Sequence, residues 1–314
     1  MAKLHALTQE KNRTIVRKML NDAFRKTYFR KLMKNSKKLV LQIICPDQSG
    51  LIAAFTQGIA QSGANILDLT QHTATDINMF FMRAFIECES DAVAQLETHF
   101  SKMEDAFSLQ WKLYDARHKT KLALFVSTTS HCLYELLLSH KDGALPCEFT
   151  CVISNHTVLE PVARSFGLPF FLVPSDIPKP EQDKKFNEIL RASQTEGIVL
   201  ARYMQILSED FTNEWKYRIV NIHHGFLPAF KGAKPYHQAW AKGVKIIGAT
   251  AHFATADLDQ GPIIWQSVQQ VEDTKSIKHF IQIGKAVEKR TLLHALKLYL
   301  EHRVFLYDER TFIL

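Results

Sequence analysis

Two hydrophobic periods alternate along this chain, and the points where one gives way to the other delimit its elements. Residues 39–45 form a β-rich apolar run that Pro46, Asp47, Gln48, Ser49 and Gly50 interrupt; a helical spacing follows over 51–61 and Gly63 closes it. Strand-like runs at 65–74 and 79–88, a helical stretch at 91–105 and a last strand near 109–113 complete the order βαββαβ, a ferredoxin-like unit. A charged connector at 115–121 opens a regular alternation. Strands are predicted at 122–126, 148–153, 170–173 and 198–200, with helices at 131–139, 158–166 and 183–193 between them. Strands that alternate with helices pair in parallel under helices on both faces, and such doubly wound sheets bind ligands beyond the C-terminal ends of their strands. The chain therefore reads as α/β, with an extension at 1–37, a ferredoxin-like domain at 38–115 and a mostly parallel-sheet domain at 121–314.

Composition adds limits to that picture. With 314 residues, 46% of them hydrophobic and 23% charged, the chain can bury two globular cores. It has no apolar run long enough to span a bilayer, and its N-terminus lacks the apolar core and cleavage site of a secretory signal. A cytoplasmic protein with no membrane partner is expected. Cys45, Cys88, Cys132, Cys147 and Cys151 fall into no metal-ligand or disulfide spacing, which suits a reducing compartment. The net charge is +7, but residues 1–38 carry twelve Lys and Arg against Glu10 and Asp22, a balance of +10 that leaves the remainder at −3. A mildly acidic body lacks the clustered cations that track phosphates, so no nucleic-acid partner is expected. Within the extension, Ile15, Val16, Met19, Leu20, Phe24, Phe29, Leu32 and Met33 recur at helical spacing among Lys and Arg. The pattern fits a helix for a membrane surface, a targeting receptor or an acidic partner; it also fits a solvated arm, or a start placed early with Met33 as the true first residue.

Candidate chemistry concentrates in two stretches. A short apolar strand from Ile219 delivers Asn221, His223 and His224 at its C-terminal end, and strand alternation sends Asn221 and His223 one way, Ile222 and His224 the other. Beyond it, Asp259 sits in an acidic loop, residues 256–262, closed by Gly261 and Pro262. Singly, each has an ordinary reading: Asn221 as a turn residue, either histidine as a satisfied core group, Asp259 as part of an Asp-Gln-Gly turn. Together they are what acyl transfer asks for. An amide stabilises the oxyanion, an imidazole moves the proton and a carboxylate supports the imidazole. No metal is called for, because adjacent histidines on opposite strand faces pair poorly on one ion. Cys132 has only the neighbouring His131 to activate it as a nucleophile.

Longer stretches carry resemblances. The turn Asp47-Gln48-Ser49-Gly50-Leu51 is similar to that of ACT domains over residues 39–115. This implies an amino-acid effector held by Asp47, Ser49, Gly50 and Asn65 at the interface of paired domains, and hence a homo-oligomer; the same turn also serves as a plain helix start at which Gly50 allows close packing. From about Lys121 to the last strand, Asn-Ile-His-His at 221–224, then F-L-P-A-F, P-Y-H-Q-A, G-V-K-I-I-G-A-T-A-H-F and L-D-Q-G-P-I-I, resemble the formyltetrahydrofolate deformylase family. The resemblance implies a formyltransferase fold with its catalytic triad on Asn221, His223 and Asp259. It places folate contacts at Met204, Gln205, Ile206, Leu207, Ala254 and Asp257, with 10-formyltetrahydrofolate as substrate and no cofactor. Gly225 departs from the serine expected there, which removes a hydroxyl and loosens the turn.

The activity so implied is hydrolysis of 10-formyltetrahydrofolate to tetrahydrofolate and formate, supplying formate for purine biosynthesis and balancing the one-carbon pool. Related enzymes hand the formyl group to an amine. The turn at Ser127-Thr128-Thr129-Ser130-His131-Cys132 contains no glycine with which to nest an acceptor's phosphate, and the fifty or so residues after Asp259 leave no room for a tRNA-binding domain. Missing acceptor machinery favours water. An amine-dependent formyltransferase and a non-catalytic folate or amino-acid sensor are the alternative readings.

Overall fold

A computed structural model describes residues 36–229, 235–272 and 276–314. The basic extension up to residue 35, and the helix expected in it, lie outside the described residues. The chain divides into two compact units, one ending at Arg117 and the other beginning at His118.

The first unit runs β1 (Ser36–Pro46), α1 (Leu51–Gln61), β2 (Asn65–Ala74), β3 (Met79–Glu89), α2 (Ala92–Phe107) and β4 (Gln110–Asp115). Its antiparallel sheet has the order β2-β3-β1-β4. The two-residue period puts Leu39, Leu41 and Ile43 on one face with Phe80, Met82, Ala84 and Ile86, and the apolar stripes of both helices, Leu51, Phe55 and Ile59 with Leu96 and Phe100, close over them. Gly58 lets the helices approach: a Cβ there would stand 2.1 Å from His99 Nε2. Gly50 starts α1 at φ 90, and a Cβ on it would meet nothing within 4 Å. Its glycine therefore answers to backbone conformation, not to the close packing considered above.

The second unit runs β5 (Thr120–Val126), α3 (His131–Lys141), β6 (Cys147–Ser154), α4 (Glu160–Ser165), β7 (Phe170–Leu172), α5 (Lys179–Ala192), β8 (Gly197–Leu200), α6 (Glu209–Glu214) and β9 (Ile219–His223). It ends with α7 (Pro235–Ala241), β10 (Ile246–Phe253), β11 (Ile263–Gln270), α8 (Ile277–Leu300) and a hairpin of β12 (Val304–Tyr307) and β13 (Arg310–Ile313). The sheet order is β11-β10-β9-β8-β5-β6-β7; the strands from β9 to β7 are parallel, and β10 and β11 add an antiparallel edge. β5 shows why the sheet is covered on both sides. Leu122, Leu124 and Val126 face a core closed by α3 and α8, while Ala123 and Phe125 face one closed by Phe186, Leu190, Phe211 and Trp215. After β5 the chain builds β6 and β7 on one side and then crosses to β8 and β9 on the other. The switch point, and with it the crevice in which doubly wound folds hold ligands, lies at the C-terminal ends of β5 and β8.

Candidate active site

β9 carries the polar groups out of the core. Its antiparallel register with β10 sets His252 opposite Asn221 and Thr250 opposite His223. The pairing of β10 with β11 slips between Ala251 and His252, a bulge that re-aims the histidine. Asn221 Nδ2 then lies 3.0 Å from His252 Nε2. His252 Nδ1 is 2.8 Å from the Phe253 carbonyl, which can only accept, so that nitrogen carries the proton and Nε2 takes one from the amide. Asp259 reaches both rings, with Oδ2 3.2 Å from His223 Nδ1 and Oδ1 3.7 Å from His252 Nε2. Its loop folds back on β10 because Gly261 has no side chain: a Cβ there would stand 1.9 Å from the Phe253 carbonyl oxygen. Asp259 itself adopts φ 58, a left-handed conformation stored beside the imidazoles.

Electrostatics follow from this geometry. Burial raises the Asp259 carboxyl, but the hydrogen bond it accepts from His223 and the nearness of the two imidazoles outweigh it and hold the group well below the usual carboxylate range. It is ionised at neutral pH. His223 is 5% exposed, and with Nδ1–H donated to Asp259 its Nε2 is buried without a hydrogen-bond partner. The ring lines a cavity of about 320 Å³ together with Asn221, His224, His252 and Asp259. An unengaged imidazole nitrogen, backed by a carboxylate and flanked by an amide donor, can take a proton from a nucleophile and return it to a leaving group. The cavity is also lined by apolar Met204, Ile206, Leu207, Ala254 and Leu258, with Gln205 among them, and Met204, Ile206 and Leu258 are exposed. Ser127 at the end of β5 pins this segment, accepting from the Met204 amide at 2.9 Å and donating to Asn155 at 2.6 Å.

Residues 120–296 match the formyl transferase family model, and residues 39–98 match the ACT domain model. Over 276 residues the chain is 39% identical to formyltetrahydrofolate deformylase of Synechocystis sp., an alignment covering 87% of this chain and 97% of that one. The chain belongs to the formyltetrahydrofolate deformylase family. A crystal structure of a formyltetrahydrofolate deformylase from Pseudomonas syringae superposes with a TM-score of 0.84 at 35% identity, covering 93% of this chain and 99% of that one. Glycinamide ribonucleotide transformylase 1 from Symbiobacterium toebii reaches a TM-score of 0.60 at 29% identity, and covers 63% of this chain and 95% of that one.

Most of the expected site residues gather at the cavity. Asp257 does not line it; its side chain is exposed and its carbonyl accepts from the Thr255 hydroxyl at 3.1 Å. His223 and His224 were expected on opposite faces, yet their rings lie 5.3 Å apart and both line the cavity, because β9 ends at His223 and alternation ends with it. The turn at Gly225, expected to be looser without a hydroxyl, is tied to the side chain of Thr250. Thr250 Oγ1 donates to the Gly225 carbonyl at 2.9 Å and accepts from the Leu227 amide at 3.0 Å, bonds that need no side chain at 225. In the first unit, Asp47, Ser49 and Gly50 form the turn after β1, with Thr73 donating to Asp47 Oδ1 at 3.5 Å. Asn65 is elsewhere. It pairs with Glu87, which pairs with Lys38, at the far end of the sheet from Pro46. Eight residues of strand separate the two ends, roughly 26 Å, so a site using both needs the turn of one copy and the Asn65 of another.

Sequence reasoning missed His252 as a site residue, and with it a second group of charges. Glu288 on α8 is 1% exposed; its Oε2 lies 2.9 Å from His131 Nε2 and 3.3 Å from Arg202 Nε, and Oε1 accepts from the Tyr236 hydroxyl at 2.6 Å. Burial raises the Glu288 carboxyl, while His131, Arg202 and Tyr236 together lower it below its ordinary value. His224, beside Arg202, is brought down to about 4, first by burial and then by the guanidinium. His131, Cys132 and Glu288 offer ligand atoms within 4.8 Å of one another. A cation fits poorly among them: the Glu288 oxygens are engaged, Arg202 adds its own positive charge, and burial holds the Cys132 thiol well above its ordinary range.

Proposed function

We propose that the chain hydrolyses 10-formyltetrahydrofolate to tetrahydrofolate and formate, supplying formate for purine biosynthesis and balancing the one-carbon pool. The observation that carries this reading is the unpartnered Nε2 of His223, backed by ionised Asp259 and flanked by Asn221 at the end of an apolar slot. The pterin lies along Met204, Gln205, Ile206 and Leu207, with backbone of the loop from Ala254 to Asp259 at its edge. His223 takes a proton from water as the oxygen attacks the formyl carbon. Asn221 donates to the oxyanion, and Asp259 supports the imidazolium. Collapse breaks the bond from carbon to N10, which receives the proton from His223. In this reading His223, Asn221 and Asp259 handle the proton taken from water and the charge that develops, and the reaction is written without a metal or cofactor. Purified protein should release formate from 10-formyltetrahydrofolate, and His223→Ala should lower kcat by about two to four orders of magnitude. Near wild-type turnover in that variant overturns the assignment of the base.

The ACT unit adds control. An amino acid, with glycine as first candidate, binds where the Asp47–Gly50 turn of one copy meets Asn65 of another, so the protein works as a homo-oligomer in the cytoplasm. Two features support this: the open space over Gly50, and the separation of the two groups within one unit.

A further inference from the structure

Behind the cavity wall stand charges that the proton relay does not use. Glu288, from α8, is gripped by groups from three other places: His131 at the start of α3, Arg202 just after β8 and Tyr236 on α7. Burying a carboxylate costs several kcal/mol unless partners meet it, and these meet both oxygens. The assembly holds strain as well. Arg202 sits at φ 68, and its Nε is buried within ion-pair distance of Glu288 yet without hydrogen-bond alignment. Room is made deliberately: a Cβ on Gly284, one turn before Glu288, would stand 2.3 Å from the Tyr236 ring. His131 follows β5 and Arg202 follows β8, so the His131–Glu288–Arg202 bridge spans the switch-point crevice where this class of sheet takes a ligand. Arg202 and His224 present the outer side of that bridge to the cavity, next to His223.

We propose that the bridge centred on Glu288 determines the acceptor: it closes the crevice to an amine and holds Arg202 and His224 as the wall against which the attacking water sits. This rests on the hydrolase reading above and deepens it. In the closed site the water oxygen bonds to the formyl carbon, the bond from carbon to N10 breaks, N10 keeps one of the water protons, and formate leaves as the other proton passes to solvent. With the crevice opened, an amine nitrogen takes the place of the oxygen, gives one proton to N10 and leaves as a formamide. Glu288 is a positioning residue, acting through Arg202.

The test is a partition experiment. Wild type, Arg202→Ala, Arg202→Lys, Tyr236→Phe and Glu288→Gln are supplied with 10-formyltetrahydrofolate and excess glycinamide as a small primary amine, and formate and N-formylglycinamide are quantified. Loss of packing alone lowers both products together, so their ratio isolates acceptor choice. Wild type should yield formate, the amide-to-formate ratio should rise at least about tenfold in Arg202→Ala, Arg202→Lys should restore much of the selectivity, and Tyr236→Phe should shift the ratio the same way by less. Glu288→Gln strands a buried cation and can fail to fold, so the Arg202 and Tyr236 variants decide without it. An unchanged ratio in folded Arg202→Ala, or a wild type that formylates glycinamide as readily, overturns the inference and leaves the hydrolase reading standing. A wild type that releases no formate overturns that reading, and the inference with it.

Discussion

Exchanging Asp259 for asparagine keeps the side chain's size and removes its charge. The carboxylate stands 3.2 Å from His223 Nδ1, and its side chain is 12% exposed. A carboxylate and an imidazolium at that separation attract by roughly 5 kcal/mol at an effective dielectric near 20 and by little more than 1 kcal/mol in bulk water. Low exposure places the pair toward the larger figure. A loss of about 3 to 5 kcal/mol in support of the imidazolium slows the step by about two to four orders of magnitude. The amide also presents an N–H to Nδ1, which moves the imidazole proton to Nε2 and takes away the lone pair that faces the nucleophile. Both effects lower kcat. The slot of Met204, Ile206 and Leu207 is unaltered, so KM should stay within about threefold, as expected when an interaction made in the transition state is removed. Steady-state formate release gives both constants, and circular dichroism reports folding. A folded Asp259→Asn enzyme with kcat within tenfold of wild type would show that His223 does not depend on this carboxylate.

Gly261→Ala forces a Cβ against the Phe253 carbonyl, so the loop carrying Asp259 must shift; we expect about 1 to 3 kcal/mol of lost stability in urea unfolding together with a kcat deficit that Asp259 shares. His224, held at about 4 in the fold against 6.5 when unfolded, binds fewer protons folded than unfolded between those values, so stability should be full above pH 6.5 and fall as pH drops toward 4. His224→Gln should flatten that part of the profile, and an identical slope in the variant refutes the attribution. Glycine or another amino acid should alter formate release by about 5- to 150-fold in affinity or rate. Asp47→Ala and Asn65→Ala should each abolish the response, and mixed oligomers of the two variants should regain it in the half of their sites that pair intact groups; a response that survives both substitutions returns the ACT unit to a structural role.

Much of this was legible because the signals were local. Parallel strands buried on both faces read as apolar runs, and β8 with all four residues buried is such a run. Asn221, His223 and Asp259 stood out as residue types out of place at the end of an apolar strand and in a Gly-Pro loop. What escaped depends on pairings between distant segments. His252 is one polar residue in the strand at 246–253, unremarked until the register of β10 against β9 sets it beside Asn221 and a bulge turns it toward Asp259. Glu288 belongs to Val-Glu-Lys-Arg within a helix, a pattern that reads as a solvated face, and only the packing of α8 against the elements bearing His131, Arg202 and Tyr236 shows it buried. Asn65 erred the other way. Its eighteen-residue spacing from Asp47 spans a helix that runs back along the sheet, so nearness in sequence becomes distance in one unit. Function follows the same division: a local motif supplies the acid-base chemistry, whereas the choice of acceptor resides in the long-range bridge that fills the crevice. On this view, relatives sharing the relay can differ in acceptor without any change at Asn221, His223 or Asp259, and the residues that decide it are the ones at 131, 202, 236 and 288.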